Sequence, residues 1–210
     1  MNRFRVGLIG CGAISPLHLE AVSKSSIAEL TAVSDIREER AKAAAEKYGC
    51  NYYTNYKEMI EKESLDSIHI CTPHYLHPVI AVYAAEKGVN VLTEKPMSVT
   101  LEQADEMIEA CKINKVALGV IFQNRYNAGS KLIKKTLESG ELGRILSARM
   151  RVNWYRTSEY YTSSDWKGTW DKEGGGAIID QAIHTIDLMC WFVGYGDKGA
   201  NLGSVDVSIA

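Results

Sequence analysis

The chain has 210 residues, with 24 basic and 26 acidic side chains, so its formal net charge at pH 7 is −2. That balance excludes the strongly basic surfaces of nucleic-acid-binding and polybasic membrane-binding proteins. A hydrophobic content of 46% indicates a folded globular protein rather than a disordered or fibrous one. We therefore expect neither nucleic acid nor a membrane among its partners.

Two further features of the sequence bear on cellular location. No apolar run approaches the ~18–20 residues of a helix that crosses a bilayer, and no signal peptide precedes the first predicted strand. The five cysteines are odd in number, widely spaced and without a CxxC pair, which argues against disulfides and a zinc site. We expect a cytoplasmic protein that holds no metal ion.

Short apolar runs alternate with stretches of helical period over the first 120 residues. The predicted strands are Val6–Ile9, Leu30–Val33, Ser67–Ile70, Val89–Leu92 and Val116–Val120. The predicted helices are Pro16–Lys24, Arg37–Tyr48, His77–Glu86 and Leu101–Lys112. Runs rich in Val, Ile and Leu and bounded by Gly, Asp or Pro are typical of strands buried on both faces. Their alternation with helices predicts an α/β fold with a doubly wound parallel sheet.

The pattern changes after Val120. The predicted elements there are a helix at Ala128–Glu138, an alternating strand at Arg144–Trp154, an aromatic and polar segment at Tyr155–Glu173, an apolar helix at Ala177–Val193 and a final strand at Ser204–Ile209. The alternating strand has one apolar face and one polar face, as in a strand that packs on one side only. We predict two domains, residues 1–122 and 123–210.

A glycine-rich turn follows the first predicted strand. Gly10 permits a tight turn, Gly12 lets the backbone approach a pyrophosphate, and Ser15 replaces the third glycine of GxGxxG. Asp35 ends the second strand, where an acid would bind the adenosine ribose and repel the 2′-phosphate of NADP. These residues predict an NAD site, although Arg37 also allows NADP. The alternative is a glycine turn in a protein that binds no nucleotide, with Asp35 capping the next helix.

Two further groups of residues carry candidate chemistry. Lys95, between Glu94 and Pro96, lies at the carboxyl end of the fifth strand, where ligands of parallel sheets bind. It could stabilise a developing alkoxide, or it could be a solvated lysine paired with Glu94. Asp180 and His184 are spaced i and i+4 on an otherwise apolar helix, so they share one face. Acid–base catalysis and a satisfied core pair both explain them.

Several lesser features keep open interpretations. A metal site at Asp180 and His184 would need a third ligand such as His74 or His77, and no spacing supports one. His18 and His69 are interpreted as structural. The aromatic residues form either a sugar-stacking wall or a packing interface; they are Trp154, Tyr155, Tyr160, Tyr161, Trp166 and Trp170. The basic residues Arg144, Arg149, Arg151 and Arg156 either bind a nucleotide-sugar phosphate or face solvent.

Taken together, these motifs resemble the Gfo/Idh/MocA oxidoreductases, the family of glucose–fructose oxidoreductase and inositol dehydrogenase. The motifs are Val6-Gly7-Leu8-Ile9-Gly10-Cys11-Gly12 with His18, Cys71-Thr72-Pro73 with Leu76-His77, Glu94-Lys95-Pro96, Ser139-Gly140-Glu141-Leu142-Gly143, Trp166-Lys167-Gly168-Thr169-Trp170, and the run from Gly174 to His184. They occur in the family's order between about Val6 and Gly194, which makes their combination more specific than any single motif.

The resemblance implies a Rossmann domain followed by an α+β domain with an open mixed sheet, which is commonly used to form a homo-oligomer (dimer or tetramer). That sheet normally continues past the helix of His184, so we expect it to be incomplete in this chain. The implied catalytic residues are Lys95, Asp180 and His184. The implied cofactor-binding residues are Gly10, Gly12, Ala13, Ile14, Asp35, Arg37, Thr72, Pro73, His77, Glu94 and Lys95, and the candidate substrate-binding residues are Tyr155, Trp166 and Trp170.

The implied reaction transfers a hydride between nicotinamide and a secondary alcohol of a sugar, cyclitol or nucleotide sugar. His184 would take the hydroxyl proton, Lys95 would hydrogen-bond the same oxygen, and Asp180 would orient the substrate or the imidazole. The alternative is a catalytically inactive NAD(P)-binding regulatory protein of the same fold, which would have no need for these three side chains.

Overall fold

The structure is a computed structural model that describes residues 3–194. Its main feature is a six-stranded sheet with strand order β3-β2-β1-β4-β5-β6, in which every neighbouring pair is parallel. The strands are β1 (Phe4–Ile9), β2 (Ala28–Ser34), β3 (Asn51–Tyr53), β4 (Ser67–Ile70), β5 (Asn90–Thr93) and β6 (Leu118–Val120). This is the Rossmann strand order. Successive strands are added on one side of β1 as far as β3 and on its other side from β4 onward, and such sheets bind ligands at this switch point. The predicted α/β fold and parallel sheet are therefore confirmed.

Helices connect the strands and continue after the sheet. The α-helices are α1 (Ser15–Ser23), α2 (Glu38–Tyr48), α3 (Tyr56–Lys62), α4 (His77–Glu86), α5 (Leu101–Ile113), α6 (Ala128–Glu138), α7 (Ser158–Thr162) and α8 (Ile183–Val193). Short 3-10 helices occupy His74–Leu76 and Gln123–Tyr126, and a π-helical turn occupies Ile178–Ala182. No helix among residues 3–194 has both the length and the apolar surface that crossing a membrane requires.

The sheet is buried on both faces. Alternate residues of β1 point to opposite sides: Leu8 packs with Leu19 of α1 and Ala45 of α2, whereas Ile9 belongs to a larger cluster with Met59 of α3. That larger cluster also contains Ile68, Ile70, Ile80, Val91 and Met107. Because a strand alternates its side chains with a period of two, one apolar run supplies both layers of core.

Two elements between β2 and β4 were not predicted from the sequence. β3 has only three residues and lies at the edge of the sheet, so it carries no buried apolar run for a pattern to detect. α3 has seven residues, too few for a clear helical period. A start signal was present nonetheless, since Asn55 caps α3 by accepting a hydrogen bond from the Lys57 N–H at 2.9 Å.

The predicted strand at Arg144–Trp154 is wrong, because residues 145–157 form no regular structure. The alternating pattern is present, but a strand exists only when a neighbour pairs with its backbone. Between Ile121 and Gly194, the structure describes helices and no strand that could act as that neighbour. The other predicted strand of this region, Ser204–Ile209, lies outside the described residues.

The described chain divides into two compact units. One comprises the sheet region to Ile121 together with Ser158–Gly176, and the other comprises Phe122–Thr157 and the residues from Ala177 onward. The aromatic segment from Ser158 onward thus belongs to the same unit as the sheet. In that unit the Tyr75 N–H, on the short helix after β4, donates to the Lys172 carbonyl at 3.2 Å. Compact units are not the same as independently folding domains, so the domains 1–122 and 123–210 stay predictions.

Candidate functional site

A glycine loop joins β1 to α1 at the carboxyl edge of the sheet. Gly10 has φ +94°, and a Cβ there would meet the carbonyl carbon and oxygen of Cys71 at 2.7 Å. Its N–H donates to the Ser34 carbonyl at 2.8 Å. Gly10 therefore provides the predicted tight turn, and it also brings the loop against the backbone that follows β4, an approach that a side chain would block.

Gly12 has a different environment, since a Cβ on it would meet nothing within 4 Å. The next residues, Ala13 and Ile14, are exposed, and Ile14 provides no side-chain cap for α1. In the first turn, the N–H groups of Ser15 and Leu17 donate to the carbonyls of Gly12 and Ile14 at 3.3 and 3.2 Å, and Pro16 has no N–H. Ser15 is buried, and its hydroxyl donates to the Gly12 carbonyl at 2.8 Å. The open space at Gly12 and the exposed residues that follow it leave room for a pyrophosphate beside the start of α1.

Asp35 ends β2 beside this loop. Its Oδ2 accepts a hydrogen bond from the Cys11 N–H at 2.7 Å, and its Oδ1 accepts one from the Arg37 N–H at 2.8 Å. The second contact is the helix-start role that the sequence left open, and the first ties the carboxylate to the glycine loop. Each carboxylate oxygen has a further lone pair, so both roles leave acceptor sites for ribose hydroxyls. The Arg37 side chain is exposed.

Thr72 and His77 lie on the loop and helix that follow β4. The Thr72 hydroxyl oxygen is buried and has no hydrogen-bond partner among the described residues, which is costly unless a ligand or water supplies one. His77 is fully buried, and its ring nitrogens lie 2.8 Å from the Pro96 carbonyl and 2.9 Å from the Thr72 carbonyl. His77 thus contacts both the loop that follows β4 and the loop that follows β5. The predicted contacts of Thr72, Pro73 and His77 with a cofactor stay predictions.

Glu94, Lys95 and Pro96 follow β5 at the same edge of the sheet. Glu94 Oε1 lies 3.0 Å from His18 Nε2, and Glu94 Oε2 accepts a hydrogen bond from the Lys95 N–H at 3.2 Å. Burial alone raises the pKa of Glu94, but the hydrogen bond and charge of His18, with the N–H and charge of Lys95, outweigh it and lower the pKa. Glu94 is therefore ionised at neutral pH and engaged with His18.

The pKa of His69 on β4 is lowered by its surroundings. Its Nδ1 lies 3.2 Å from the Nδ1 of His18. Burial, followed by the charge of His18, lowers the pKa of His69 from 6.5 to about 4. Between those two pH values the unfolded chain binds a proton at this position that the folded chain does not bind, so the folded state loses stability as the pH falls.

We expect an acid-dependent loss of stability that His69→Gln reduces. From pH 7 to pH 4 the contribution of His69 to the free energy of unfolding falls by about 3 kcal/mol, and it changes little below pH 4. Urea unfolding at pH 7, 6 and 5 measures this slope for the parent and the variant. This range lies above the ordinary pKa of the carboxylates. Parallel slopes for the two proteins would contradict the assignment.

These features of the sheet unit fit a dinucleotide. The switch point between β1 and β4 places the glycine loop, Asp35 and Thr72 at one edge of the sheet. The unfilled space at Gly12 suits a pyrophosphate, the Asp35 carboxylate suits a ribose, and the buried hydroxyl of Thr72 lacks a partner in the described residues. The residues present can therefore hold the nicotinamide cofactor that the sequence predicts.

Gly10 and Gly12 offer a matched pair of alanine substitutions. Gly10→Ala should lower the free energy of unfolding by roughly 1–3 kcal/mol, because its φ and its neighbours both oppose a side chain. Gly12→Ala should leave that free energy within about 0.5 kcal/mol but weaken NADH binding about tenfold by filling the pyrophosphate space. Urea unfolding and NADH fluorescence titration measure the two effects. Unchanged NADH affinity in Gly12→Ala would count against a pyrophosphate-binding site at Gly12.

Asp180 and His184 lie at the start of the last helical segment. Asp180 is 4% exposed and His184 is 7% exposed, as expected for a polar pair on an apolar helix. Asp180 Oδ2 accepts a hydrogen bond from Gln181 Nε2 at 2.6 Å, and Gln181 Oε1 accepts one from Arg156 Nη2 at 2.7 Å. The predicted helix is confirmed, although its first turn is π-helical, a feature often found at functional sites.

Other side chains surround this pair within the same unit. The ring of Trp154 lies 6.5 Å from the ring of His184, measured between centroids. The guanidinium of Arg156 lies 5.6 Å from the Trp154 ring. Asp187, which the spacing places near His184, forms a two-pronged ion pair with Arg125. An acid, an imidazole and a guanidinium therefore occur together on this unit.

The aromatic residues are distributed over both units. Trp166 packs edge-on against His74, with 4.7 Å between ring centroids, and Tyr160 packs against Tyr161. Trp170 and Tyr155 are each 84% exposed. Trp166 therefore has the packing role that the sequence left open, and substrate contacts of Tyr155, Trp166 and Trp170 stay predictions.

Burial raises the pKa of four cysteine thiols, which makes their reactive thiolate form less accessible. All five cysteines are free. Burial and the charge of Asp35 raise the pKa of Cys11 to about 12, and burial with the charge of Glu63 raises that of Cys50 to about 11. Burial also raises the pKa of Cys71 and Cys111. Among the described residues, no group of three His, Cys, Asp or Glu side chains is arranged to hold a metal ion.

Sequence reasoning missed the partners of several polar side chains. The contact of His18 with Glu94 joins residues 76 positions apart, and that of Arg125 with Asp187 joins residues 62 positions apart. A signal existed for the first contact, because His18 is a polar residue at a buried position between Leu17 and Leu19. A buried polar residue needs a partner, but the local pattern does not say which one.

Two family profiles match the chain. The profile described as "Oxidoreductase family, NAD-binding Rossmann fold" matches residues 4–122, and that of the GFO/IDH/MocA C-terminal domain matches residues 130–198. The rhizopine catabolism protein MocA of Rhizobium meliloti is 31% identical over 195 residues, which are 92% of this chain and 58% of that protein.

Two solved structures resemble the chain to different degrees. The WlbA dehydrogenase of Bordetella pertussis, in complex with NADH and UDP-GlcNAcA, is 38% identical with a TM-score of 0.88, over 92% of this chain and 59% of that one. The myo-inositol 2-dehydrogenase of Lactobacillus plantarum is 26% identical with a TM-score of 0.76, over 91% and 57%.

The chain thus spans little more than half the length of these relatives. The predicted cofactor, NAD, agrees with the NAD-binding description of the matching profile and with the NADH bound to WlbA. On the fold of the sheet, the glycine loop and the two profile matches together, this chain belongs to the Gfo/Idh/MocA oxidoreductases, a family with an NAD-binding Rossmann fold.

Proposed function

We propose that this protein is an NAD-dependent dehydrogenase that oxidises a secondary alcohol of a nucleotide sugar. The observation that carries the substrate class is the difference between the two solved relatives. Identity to the structure that binds UDP-GlcNAcA is 38%, against 26% for the inositol dehydrogenase. A nucleotide sugar was one of three substrate classes that the sequence left open, and this difference favours it.

The proposed roles follow the chemistry of each side chain. His184 accepts the proton of the substrate hydroxyl, because an imidazole titrates near neutral pH and suits general-base work. Lys95 donates a hydrogen bond to the same oxygen and stabilises its growing negative charge. Asp180 orients the imidazole or the substrate. When bound, NAD supplies the acceptor for the hydride that the carbinol carbon gives up.

The cofactor roles are assigned to the sheet unit. The glycine loop from Gly10 to Ile14 and the start of α1 would bind the pyrophosphate, and Asp35 would bind the adenosine ribose. A carboxylate at that position repels a 2′-phosphate, so we propose NAD rather than NADP. Thr72, Pro73, His77 and Glu94 would line the remainder of the cofactor site, and a direct contact of His77 would have to avoid its occupied ring nitrogens.

The arginines of the unit that contains α8 favour an anionic substrate. Arg144, Arg149, Arg151 and Arg156 are all exposed. Arg156 also donates a hydrogen bond to Gln181, which in turn donates one to Asp180, so one positive charge is linked to Asp180 through Gln181. Guanidinium groups bind phosphates and carboxylates through paired hydrogen bonds. We therefore propose that a UDP-linked sugar acid, which carries both anions, is the preferred substrate.

A substrate panel tests this proposal. The chain is incubated with NAD or NADP and with UDP-GlcNAcA, UDP-GlcNAc, myo-inositol or levoglucosan, and NAD(P)H formation is followed by absorbance. We expect turnover with NAD and UDP-GlcNAcA, and less with UDP-GlcNAc, which lacks the carboxylate. A preference for inositol or levoglucosan would overturn the substrate class. NADH binding with no turnover of any sugar would instead favour the regulatory alternative.

A further inference from the structure

The side chains of His69, His18 and Glu94 form a hydrogen-bonded series near the carboxyl edge of the sheet. His69 on β4 lies 3.2 Å from His18 on α1, nitrogen to nitrogen, and His18 lies 3.0 Å from Glu94, which follows β5. The His18 side chain is 7% exposed and that of Glu94 is 14% exposed. The series therefore links the helix that follows the glycine loop to the segment that contains Lys95.

The donors in this series are set by chemistry. A carboxylate only accepts hydrogen bonds, so the contact with Glu94 requires a proton on Nε2 of His18. When His18 is neutral, its Nδ1 then has a lone pair, and His69 must donate from its own Nδ1. A neutral His69, which its lowered pKa favours, can make that donation. His69 thereby selects the tautomer of His18 that points a proton at Glu94.

The segment around Lys95 is held at both ends by histidines. On one side, His18 binds Glu94 Oε1 while Glu94 Oε2 accepts the Lys95 N–H at 3.2 Å. On the other side, His77 contacts the Pro96 carbonyl at 2.8 Å. Both histidines are buried. The backbone of Lys95 thus lies between two anchored neighbours, which restricts where its ammonium group can reach.

We propose that His18 is a positioning residue, which fixes the Glu94 carboxylate through its Nε2–H and holds the segment from Glu94 to Pro96 in its cofactor-binding form, with His69 setting the tautomer of His18. This inference rests on the proposed function in one respect, since it takes Glu94 and Lys95 as parts of an NAD site. It adds a role for two residues that the sequence indicated only as structural.

Three substitutions of His18 separate positioning from packing. The amide nitrogen of Gln can occupy the place of Nε2 and donate to Glu94, whereas that of Asn corresponds to Nδ1 and points to His69. Ala removes the contacts with both Glu94 and His69. Each variant of the chain is titrated with NADH by fluorescence, and its melting temperature is recorded. Ile80→Val, which removes one buried methyl group from α4, controls for a general loss of core packing.

We expect His18→Ala and His18→Asn to weaken NADH binding about tenfold, and His18→Gln to stay within about twofold of the parent. The control should bind NADH as the parent does, even if it melts at a lower temperature. In a Glu94→Ala background, His18→Ala should change the affinity less than about twofold, because a residue that acts through Glu94 has no further effect once Glu94 is gone.

Three results would overturn the inference. Parent-like affinity in all three variants would show that His18 does not influence the cofactor site, and an equal loss in all three would show that it only fills space. A parent chain that fails to bind NADH would overturn the proposed function as well. NADH binding by the parent without the Gln rescue refutes the positioning role alone, so the two failures are distinguishable.

Discussion

Replacing His184 by Ala should lower kcat for the preferred nucleotide sugar about 10²–10⁴-fold, the loss expected when a general base is removed. The imidazole is 7% exposed, shares a helix with Asp180 and lies next to the Trp154 ring. Its proposed task is to accept the hydroxyl proton, which water performs poorly at neutral pH. Steady-state kinetics at saturating NAD measures the effect.

Two controls accompany this substitution. NADH affinity should be unchanged in His184→Ala, because the proposed contact of the imidazole is with the substrate. Met189→Leu, a volume-conserving change on the same helix α8, should leave kcat unchanged within error. If His184→Ala turned over at the parental rate, its role as general base would have to be abandoned and the proton acceptor sought elsewhere.

Arg125→Ala should destabilise the unit that contains α8 by about 3 kcal/mol. Arg125 Nε donates to Asp187 Oδ2 at 2.7 Å, and Nη2 donates to Oδ1. The guanidinium also lies 5.7 Å from the Trp191 ring and 5.8 Å from the Phe122 ring. Truncation leaves the Asp187 carboxylate, which is 5% exposed, buried without its counter-charge. Urea unfolding of the chain measures the loss.

Replacing the other partner of the ion pair should lower the free energy of unfolding by a smaller amount. Asp187→Asn leaves Arg125, whose side chain is 32% exposed, able to reach water and still packed on its aromatic neighbours. We expect about half of the loss found for Arg125→Ala, because a partly exposed charge pays a smaller desolvation penalty. Equal losses for the two variants would show that the pair acts through packing rather than through the buried carboxylate.

The sheet was largely predictable because its signals are local. Five of the six strands contain short apolar runs, because a strand covered on both faces is mostly apolar. Four of the five α-helices between the strands were also predicted, and α3 is the exception. The glycine loop was predictable for the same reason, as a positive φ at Gly10 needs a glycine. The strand at Arg144–Trp154 failed because alternation records a preference, and pairing depends on a neighbour that the described residues do not contain.

The candidate site residues were also predictable only where their signals are local. Asp35, Lys95, Asp180 and His184 were identified from spacing, from position after a strand and from family resemblance. Asp187 lies three positions after His184 on the same helix, and the structure pairs it with Arg125. Spacing along a helix fixes which residues share a face, and it says nothing about the residue that another segment brings to that face.

The amino-acid order by itself determined the parallel sheet and the glycine turn that follows β1, because these depend on neighbours a few positions away, and it supplied the candidate site residues. Only the tertiary structure decided that His69, His18 and Glu94 adjoin one another and that Asp187 meets Arg125. The reason is topological. Strand order places distant segments side by side, and a buried polar group takes the partner that this arrangement supplies.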